Sequence, residues 1–256
     1  MTRELIGVVH LKPLPGAPRS DGSLKAIIKA AIKDAQAYEQ GGADAVCIEN
    51  FGDLPFTQGS VPPVTVAAMA VCGQAVGEAI KLPIGFNVLR NDPQTALGLC
   101  AACNGSFIRV NVHSGAMLTD QGMIEGDAYN TLRTRSSLGL TAAIYADVQV
   151  KHATVIGDQT IEDAAKDTFE RGLADGLIVS GSGTGSAADP SDVRRVRSAC
   201  PAAKILLGSG VTERNVEQFI EYADAFVVGS SLKRGGRLEA AVDARRVERL
   251  VRAMSR

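Results

Sequence analysis

The chain lacks any strong excess of charge. Its 27 basic residues stand against 28 acidic ones, a formal charge of -1, so no global field draws it to nucleic acid or to an anionic membrane surface. The one basic concentration is Arg245, Arg249, Arg252 and Arg256, at helical spacing opposite Val247, Leu250, Val251 and Met254. That is the ordinary solvated face of an amphipathic surface helix. No run reaches the ~18 apolar residues of a membrane span. The opening MTRELIGVVH lacks the small-residue cleavage site of a signal peptide, so the expected location is the cytoplasm. Five cysteines, an odd number scattered through apolar segments, exclude a disulfide framework and suit reduced core thiols. Cys100 and Cys103 form a lone CAAC late in a helical segment. It has no second ligand pair for zinc and no helix N-terminus for redox chemistry. The three histidines, His10, His113 and His152, follow strands without a tight ligand motif. No metal or other cofactor is therefore required, and a divalent ion is left open.

What is present is regular alternation. A length of 256 residues with 45% hydrophobic content can bury a full core and is close to the ~250 residues of one (β/α)8 barrel. Short apolar runs in LIGVVH, DAVCIEN, LPIGFNVL, SFIRVNV, TAAIYADV, DGLIVS, KILLGSGV and AFVVGSSLK alternate with helical segments. Ser23, Asp92 and Asp189 read as helix caps, with Pro93 at a first helical position. TERNVEQFIEYAD, between the last two runs, has helical spacing, and HSGAMLTDQGMIEG reads as a long polar loop before a weak helix to about Leu138. Eight such units give a closed barrel or a doubly wound sheet. Units of ~30 residues, with polar residues gathered after every strand, favour a TIM barrel over residues 1–256 as a single domain.

The chemistry gathers at one end of that barrel. Gly208, Ser209 and Gly210 after the seventh strand, and Gly229, Ser230 and Ser231 after the eighth, combine unshielded backbone N–H groups with hydroxyls, a phosphate cradle in this architecture. The turn SGSGTGS, with Gly181 and Gly183, fits neither G-x-G-x-x-G nor a P-loop; it is a third ligand-facing turn or a plain connection. Strand parity turns Phe107, Arg109 and Asn111 inward and Ile108, Val110 and Val112 against helices. It also turns Cys47, Glu49, Gly85, Asn87, Tyr145, Asp147, Val8 and His10 inward. A buried Arg109 needs an anion, and Glu49 and Asp147 are the available ones. They form a structural ion pair, or one holds Arg109 while the other works as general acid or base. Lys151 and His152, just past the fifth strand, add a cation for an anionic substrate and a proton carrier.

Taken together, GVVHLKPLPGAP, IENFGDLPF, GFNVLRND, FIRVNV, TDQGMIEG, ADVQVKHA, LLGSGVTERNV and VVGSSLKRGG resemble the BtpA/SgcQ family over nearly the whole chain. The resemblance implies a phosphate-binding barrel. For cyanobacterial members it implies a role in photosystem I biogenesis; other members lie in bacteria without photosystems, some near sugar-uptake genes. The family motifs fall on His10, Glu49, Asn50, Asp53, Asn87, Arg90, Arg109, Asn111, Asp147, Lys151 and His152. The leading expectation is an enzyme, an isomerase or lyase type, acting on a sugar or ribosyl phosphate, with Glu49, Asp147, Arg109, Lys151 and His152 catalytic. Asn87, Asn111, Gly181, Gly183 and the 208–210 and 229–231 turns hold the ligand. The alternatives are a non-catalytic assembly factor of the photosystem I type and a phosphosugar sensor. The expected partner is a small phosphorylated ligand, with no nucleic acid and no transmembrane segment, and with self-association into a homo-oligomer left open.

Overall fold

Eight parallel strands close on themselves in the computed structural model, which describes residues 3–181, 183 and 185–255. In chain order the strands are β1 (Glu4–His10), β2 (Ala45–Glu49), β3 (Ile84–Asn87), β4 (Phe107–Val110), β5 (Ala116–Thr119), β6 (Gly122–Glu125), β7 (Ala143–Val148), β8 (Ala153–Val155), β9 (Gly176–Val179), β10 (Lys204–Leu207) and β11 (Ala225–Val228). The barrel runs β1-β11-β10-β9-β7-β4-β3-β2, and β6-β5-β8 form a separate small sheet. Seven α-helices accompany them: α1 (Leu24–Gln40), α2 (Pro63–Ala79), α3 (Pro93–Cys103), α4 (Ala128–Ser137), α5 (Ile161–Lys166), α6 (Pro190–Ala199) and α7 (Ala244–Met254). The chain is thus a (β/α)8 TIM barrel. Ser23, Asp92 and Asp189 accept hydrogen bonds from the backbone N–H groups of Ala26, Thr95 and Ser191, capping α1, α3 and α6. No helix among the described residues is long and apolar enough to cross a membrane.

Parity divides the apolar residues into two cores. Ile6, Val8, Cys47, Phe107, Ile178, Leu206 and Val227 fill the barrel interior, whereas Val9, Val46, Ile48, Ile108, Val110 and Ile144 pack outward against the helices. Gly85 belongs to the inner layer, and a Cβ there would lie 2.3 Å from the Phe107 ring. Only glycine lets that ring fill the axis. All five cysteines are free and buried.

The bottom of the barrel carries a recurring device. Asp44, Asp175 and Asp224, each preceded by alanine, stand just before β2, β9 and β11. Each accepts a hydrogen bond from a neighbouring strand's backbone: Leu5 N–H at 2.7 Å, Ile144 N–H at 2.8 Å and Ile205 N–H at 2.8 Å. The aspartate's own N–H returns a bond to the carbonyl of that same residue. Each Ala-Asp step therefore clamps one strand to the one before it.

Two segments differ from the sequence expectation. Residues 212–224 form only a 3-10 turn, Val216–Gln218, and further turns instead of a helix. Asn215 explains this: its side-chain oxygen accepts from Thr212 N–H and its amide donates to the Gly210 carbonyl, a local alternative to helical pairing. Val216 and Phe219 are buried as separate anchors. The 113–126 stretch is not a plain loop, since β5 and β6 pair as a hairpin that β8 extends. Strands of three and four residues are too short for their alternation to stand out in a sequence.

Candidate functional site

Strand parity delivers an arginine and its anion to the same depth of the barrel. Arg109 donates from Nε to Asp147 Oδ2 and from Nη2 to Asp147 Oδ1, both at 2.8 Å. Asn111 Nδ2 donates to Oδ2 at 3.1 Å and Ser180 Oγ to Oδ1 at 3.0 Å. The Asp147 carboxylate thus accepts four hydrogen bonds. Burial works against the Arg109 charge, but the charge and hydrogen bonds of Asp147 outweigh it, so the guanidinium is held above its ordinary value.

Glu49, at the end of β2, is buried, and among the described residues its ion-pair neighbour is His10, whose Nε2 lies 3.9 Å from Oε1. Its acceptor capacity is therefore largely unspent. His10 is held well below its ordinary value, first by burial and then by the positive charges of Lys233, Lys151 and Arg109, so it is a neutral imidazole. Its Nδ1 is buried without a hydrogen-bond partner. Gly229 makes room for the ring, because a Cβ there would lie 2.6 Å from His10 Cε1. Lys151 is lowered by burial first and by Arg109 next, with Glu49 and Asp147 opposing. Asn87, paired with Glu49 across the β2–β3 ladder, is fully buried with neither amide atom bonded among the described residues, and the Asn111 carbonyl is likewise unpartnered there.

Of these groups Glu49, His10, Arg109, Asn111 and Lys151 border adjoining spaces at the C-terminal ends of the strands. A mouth cavity of about 370 Å³ has a polar wall of Glu49, Arg90, Arg109, Asn111, Asp120, Lys151 and His152 and an apolar wall of Phe51, Leu54, Phe56 and Leu89. A narrower recess of about 30 Å³, lined by Gly208, Ser209, Gly210, Gly229, Ser230 and Ser231, shares Glu49, Arg109 and Lys151 with it. The exposed His152 has a left-handed backbone (φ 56°), and its imidazole is lowered by burial first and then by Lys151 and Arg90.

The hydroxyls of the recess tie loops together. Ser209 Oγ accepts from Gly181 N–H and donates to the Ser186 carbonyl, and Ser231 Oγ donates to the Val211 carbonyl at 2.7 Å. Ser230 Oγ makes no such bond among the described residues. Gly210 has φ 69°, and a Cβ there would lie 2.2 Å from the Ala187 backbone nitrogen, so the loop after β9 is packed directly onto the 208–210 turn. Gly181 is buried in that loop, Gly183 lies beside the His152 ring, and Gly185 lines the recess. Ser182 and Thr184, in the same SGSGTGS turn, lie outside the described residues.

The expected residues therefore gather at this end of the barrel, but four of them line neither cavity: Asp147 is engaged by Arg109, Asn111 and Ser180, Asn87 is buried beside Glu49, Gly181 serves the loop closure and Gly183 lies beside His152. Strand reasoning missed Phe51, Leu54 and Phe56, the Asp120 carried by the β5–β6 hairpin, and Lys233. The clustering of Phe51 and Phe56 right after Glu49 is a signal that could have found the apolar wall; Asp120 has none without the hairpin. Among the described residues no group of three or more His, Cys, Asp or Glu side chains is arranged to hold a metal ion.

Known proteins share both the fold and the sequence. Thiamine phosphate pyrophosphorylase from Pyrococcus furiosus superposes with a TM-score of 0.62 at 12% identity, covering 99% of this chain and 96% of that one. Phosphoribosyl anthranilate isomerase from Thermus thermophilus gives 0.59 at 12% identity, covering 98% of each. Mycobacterium tuberculosis tryptophan synthase gives 0.66 at 16% identity, covering 99% and 93%. The photosystem I biogenesis protein BtpA of Synechocystis is 44% identical over 251 residues, 98% of this chain and 88% of that protein. An uncharacterized protein of Thermococcus kodakarensis is also 44% identical, over 249 residues, 97% of this chain and 94% of that protein. With the BtpA family model matching residues 1–256 from end to end, the chain belongs to the BtpA family.

Proposed function

We propose that the protein is an enzyme that holds a small phosphorylated ligand, a sugar or ribosyl phosphate, and rearranges or cleaves it by acid–base chemistry at Glu49. The observation that carries this reading is the shared wall: Glu49, Arg109 and Lys151 border both the glycine recess and the mouth cavity. A ligand whose phosphate reaches the 208–210 and 229–231 turns keeps its carbon skeleton in the larger space, against those three side chains. Backbone N–H groups of the turns receive the phosphate, since the Ser209 and Ser231 hydroxyls are engaged elsewhere.

The two carboxylates divide the work. Asp147, with four donors on its oxygens, fixes Arg109. Glu49, buried and with only the His10 imidazole beside it among the described residues, is the group free to take a proton from a carbon or hydroxyl of the substrate. Arg109 and Lys151 then face the oxygen on which negative charge develops, in a water-poor setting where fixed cations act strongly. Lys151, lowered by its burial, is also suited to return a proton. The names of two fold neighbours, thiamine phosphate pyrophosphorylase and phosphoribosyl anthranilate isomerase, include phosphorylated compounds, which agrees with this reading while resting on fold alone.

A second reading, a non-catalytic assembly factor, is favoured by the name of the Synechocystis relative. Crystals soaked in phosphate should show an anion bonded to the 208–210 and 229–231 turns, and a panel of sugar phosphates should include one that the wild-type protein converts and Glu49→Gln does not. An empty recess at high phosphate concentration overturns the cradle. If no member is converted, and Glu49→Gln leaves the cellular role intact, the assembly reading prevails.

A further inference from the structure

A third cavity, of about 620 Å³, opens between the β1 loop, α1 and the segment after β11. It shares His10 with the glycine recess and Phe51 and Leu54 with the mouth cavity. Its charge is one-sided: Lys12, Arg19, Lys33 and Lys233 line it against only Asp34 and Glu239, an excess of two positive charges. Lys12, Arg19 and Lys33 are exposed. Lys233 is 3% exposed, which makes its charge costly unless an anion meets it. The anion at hand meets it poorly. Asp34 Oδ2 is 3.6 Å from Lys233 Nζ, beyond hydrogen-bond length, and the other oxygen of that carboxylate is occupied by Val242 N–H at 2.9 Å. Burial pushes the Lys233 amine below its ordinary value in spite of Asp34. A buried ammonium aimed at a solvent-connected cationic cavity is a site for an oxyanion.

We propose that the ligand carries two oxyanions: a phosphate in the glycine recess and a second phosphate or carboxylate in the cavity over Lys233, with the reacting carbons between them at Glu49. This deepens the functional reading above and rests on it. The neutral His10 stands at the junction of the recess and the third cavity, where it offers a wall that repels neither anion. The mouth cavity and the third cavity, at about 370 and 620 Å³, each fall within the ≈300–1,000 Å³ typical of small-molecule sites. A ligand with one anionic end leaves Lys233 with its Asp34 ion pair and Glu239 alone against the other three cations of the cavity.

The test compares three probes by titration calorimetry: glucose 6-phosphate with one oxyanion, 6-phosphogluconate with an added carboxylate, and fructose 1,6-bisphosphate with a second phosphate. The expected result is at least tenfold tighter binding of one or both doubly anionic probes, and the tighter one identifies the second group. The double variant Lys12→Ala/Arg19→Ala alters exposed side chains only, so it folds; with Lys233 still in place it should shrink that advantage severalfold and leave glucose 6-phosphate unchanged. Removing two charges on α7 that do not line the cavity, Arg245→Ala/Arg252→Ala, should leave the ratio intact. Equal affinity for all three probes, or equal weakening of all three in the cavity variant, overturns the second subsite and leaves the cradle standing. Loss of the ratio in the α7 variant assigns it to bulk charge and overturns it too. No binding of any probe overturns both readings together.

Discussion

Arg109 and Asp147 show how a single buried contact sorts two similar carboxylates into different tasks. Their side chains are 4% and 0% exposed, so removing one charge strands the other. Asp147→Asn should cost about 3–5 kcal/mol, read as a lower denaturant midpoint. Glu49 has no such partner, and Glu49→Gln should leave the midpoint near that of the wild type while turnover of the identified phosphosugar falls on the order of 10²–10⁴-fold. Equal destabilisation by the two variants would remove the distinction between holder and proton carrier. His10 supplies a pH signature. Its folded pKa lies well below the ordinary 6.5, with burial the main cause, so below that pH the unfolded chain binds the proton more readily than the folded one. The stability that neutral His10 contributes is complete above pH 6.5 and is lost as the pH falls toward the folded value. Denaturation midpoints from pH 7.5 to 5 should decline, and His10→Asn should flatten part of the slope. His113, lowered mainly by burial, contributes with the same sign and remains in that variant.

At the level of elements, the Ala-Asp clamps and the caps carry the predictions. Asp44→Ala, Asp175→Ala and Asp224→Ala each remove a charge-assisted bond to a strand N–H, worth about 1.5–3 kcal/mol. They lie at the end of the barrel opposite the recess, so unfolding midpoints should fall with Kd for phosphosugars unchanged. Asp92 joins two duties, capping α3 through Thr95 N–H and accepting from Val61 N–H at 2.9 Å. Asp92→Ala should therefore cost more than the ~1 kcal/mol of a simple cap. The eight barrel strands and most helix starts were legible because each fills a whole period and ends in a recognisable cap or glycine. The inward polar set was legible because parity is strict in a closed barrel. The 212–224 segment was not: its spacing is helical, but Asn215 diverts the local backbone bonds, which hydrophobic periodicity does not register. The β5–β6–β8 sheet escaped because its strands are too short to show alternation, and with it went the position of Asp120. Lys233 escaped for a different cause, lying beyond the strand where parity no longer applies.

For the molecule as a whole, ligand binding and folding share one free energy. A phosphosugar at a hundred times its Kd should add about 2.7 kcal/mol to stability. For a chain of this size that is a rise of roughly 5–10 °C in Tm, seen in a thermal melt and absent with the unphosphorylated sugar. The bottom of the barrel carries another whole-molecule message. The clamps occur before β2, β9 and β11, which are the second, sixth and eighth barrel strands in chain order, and before β4, the fourth, Ser106 N–H bonds to the Ile84 carbonyl at 2.7 Å without a carboxylate. The carboxylate latches thus set off three strand pairs, β1–β2, β7–β9 and β10–β11, while β3 and β4 are joined by backbone alone, as β4 and β7 are through Ala143 N–H and the Ser106 carbonyl. A circular permutant opened at Lys81, between the first pair and the second, leaves every pair on contiguous chain, whereas one opened at Gly42 splits the first pair between the two new ends. Both openings turn one local strand closure into the longest in the chain, but only the latter places a carboxylate clamp, Asp44 on Leu5 N–H, between the two new ends, so the latter should refold more slowly than the former.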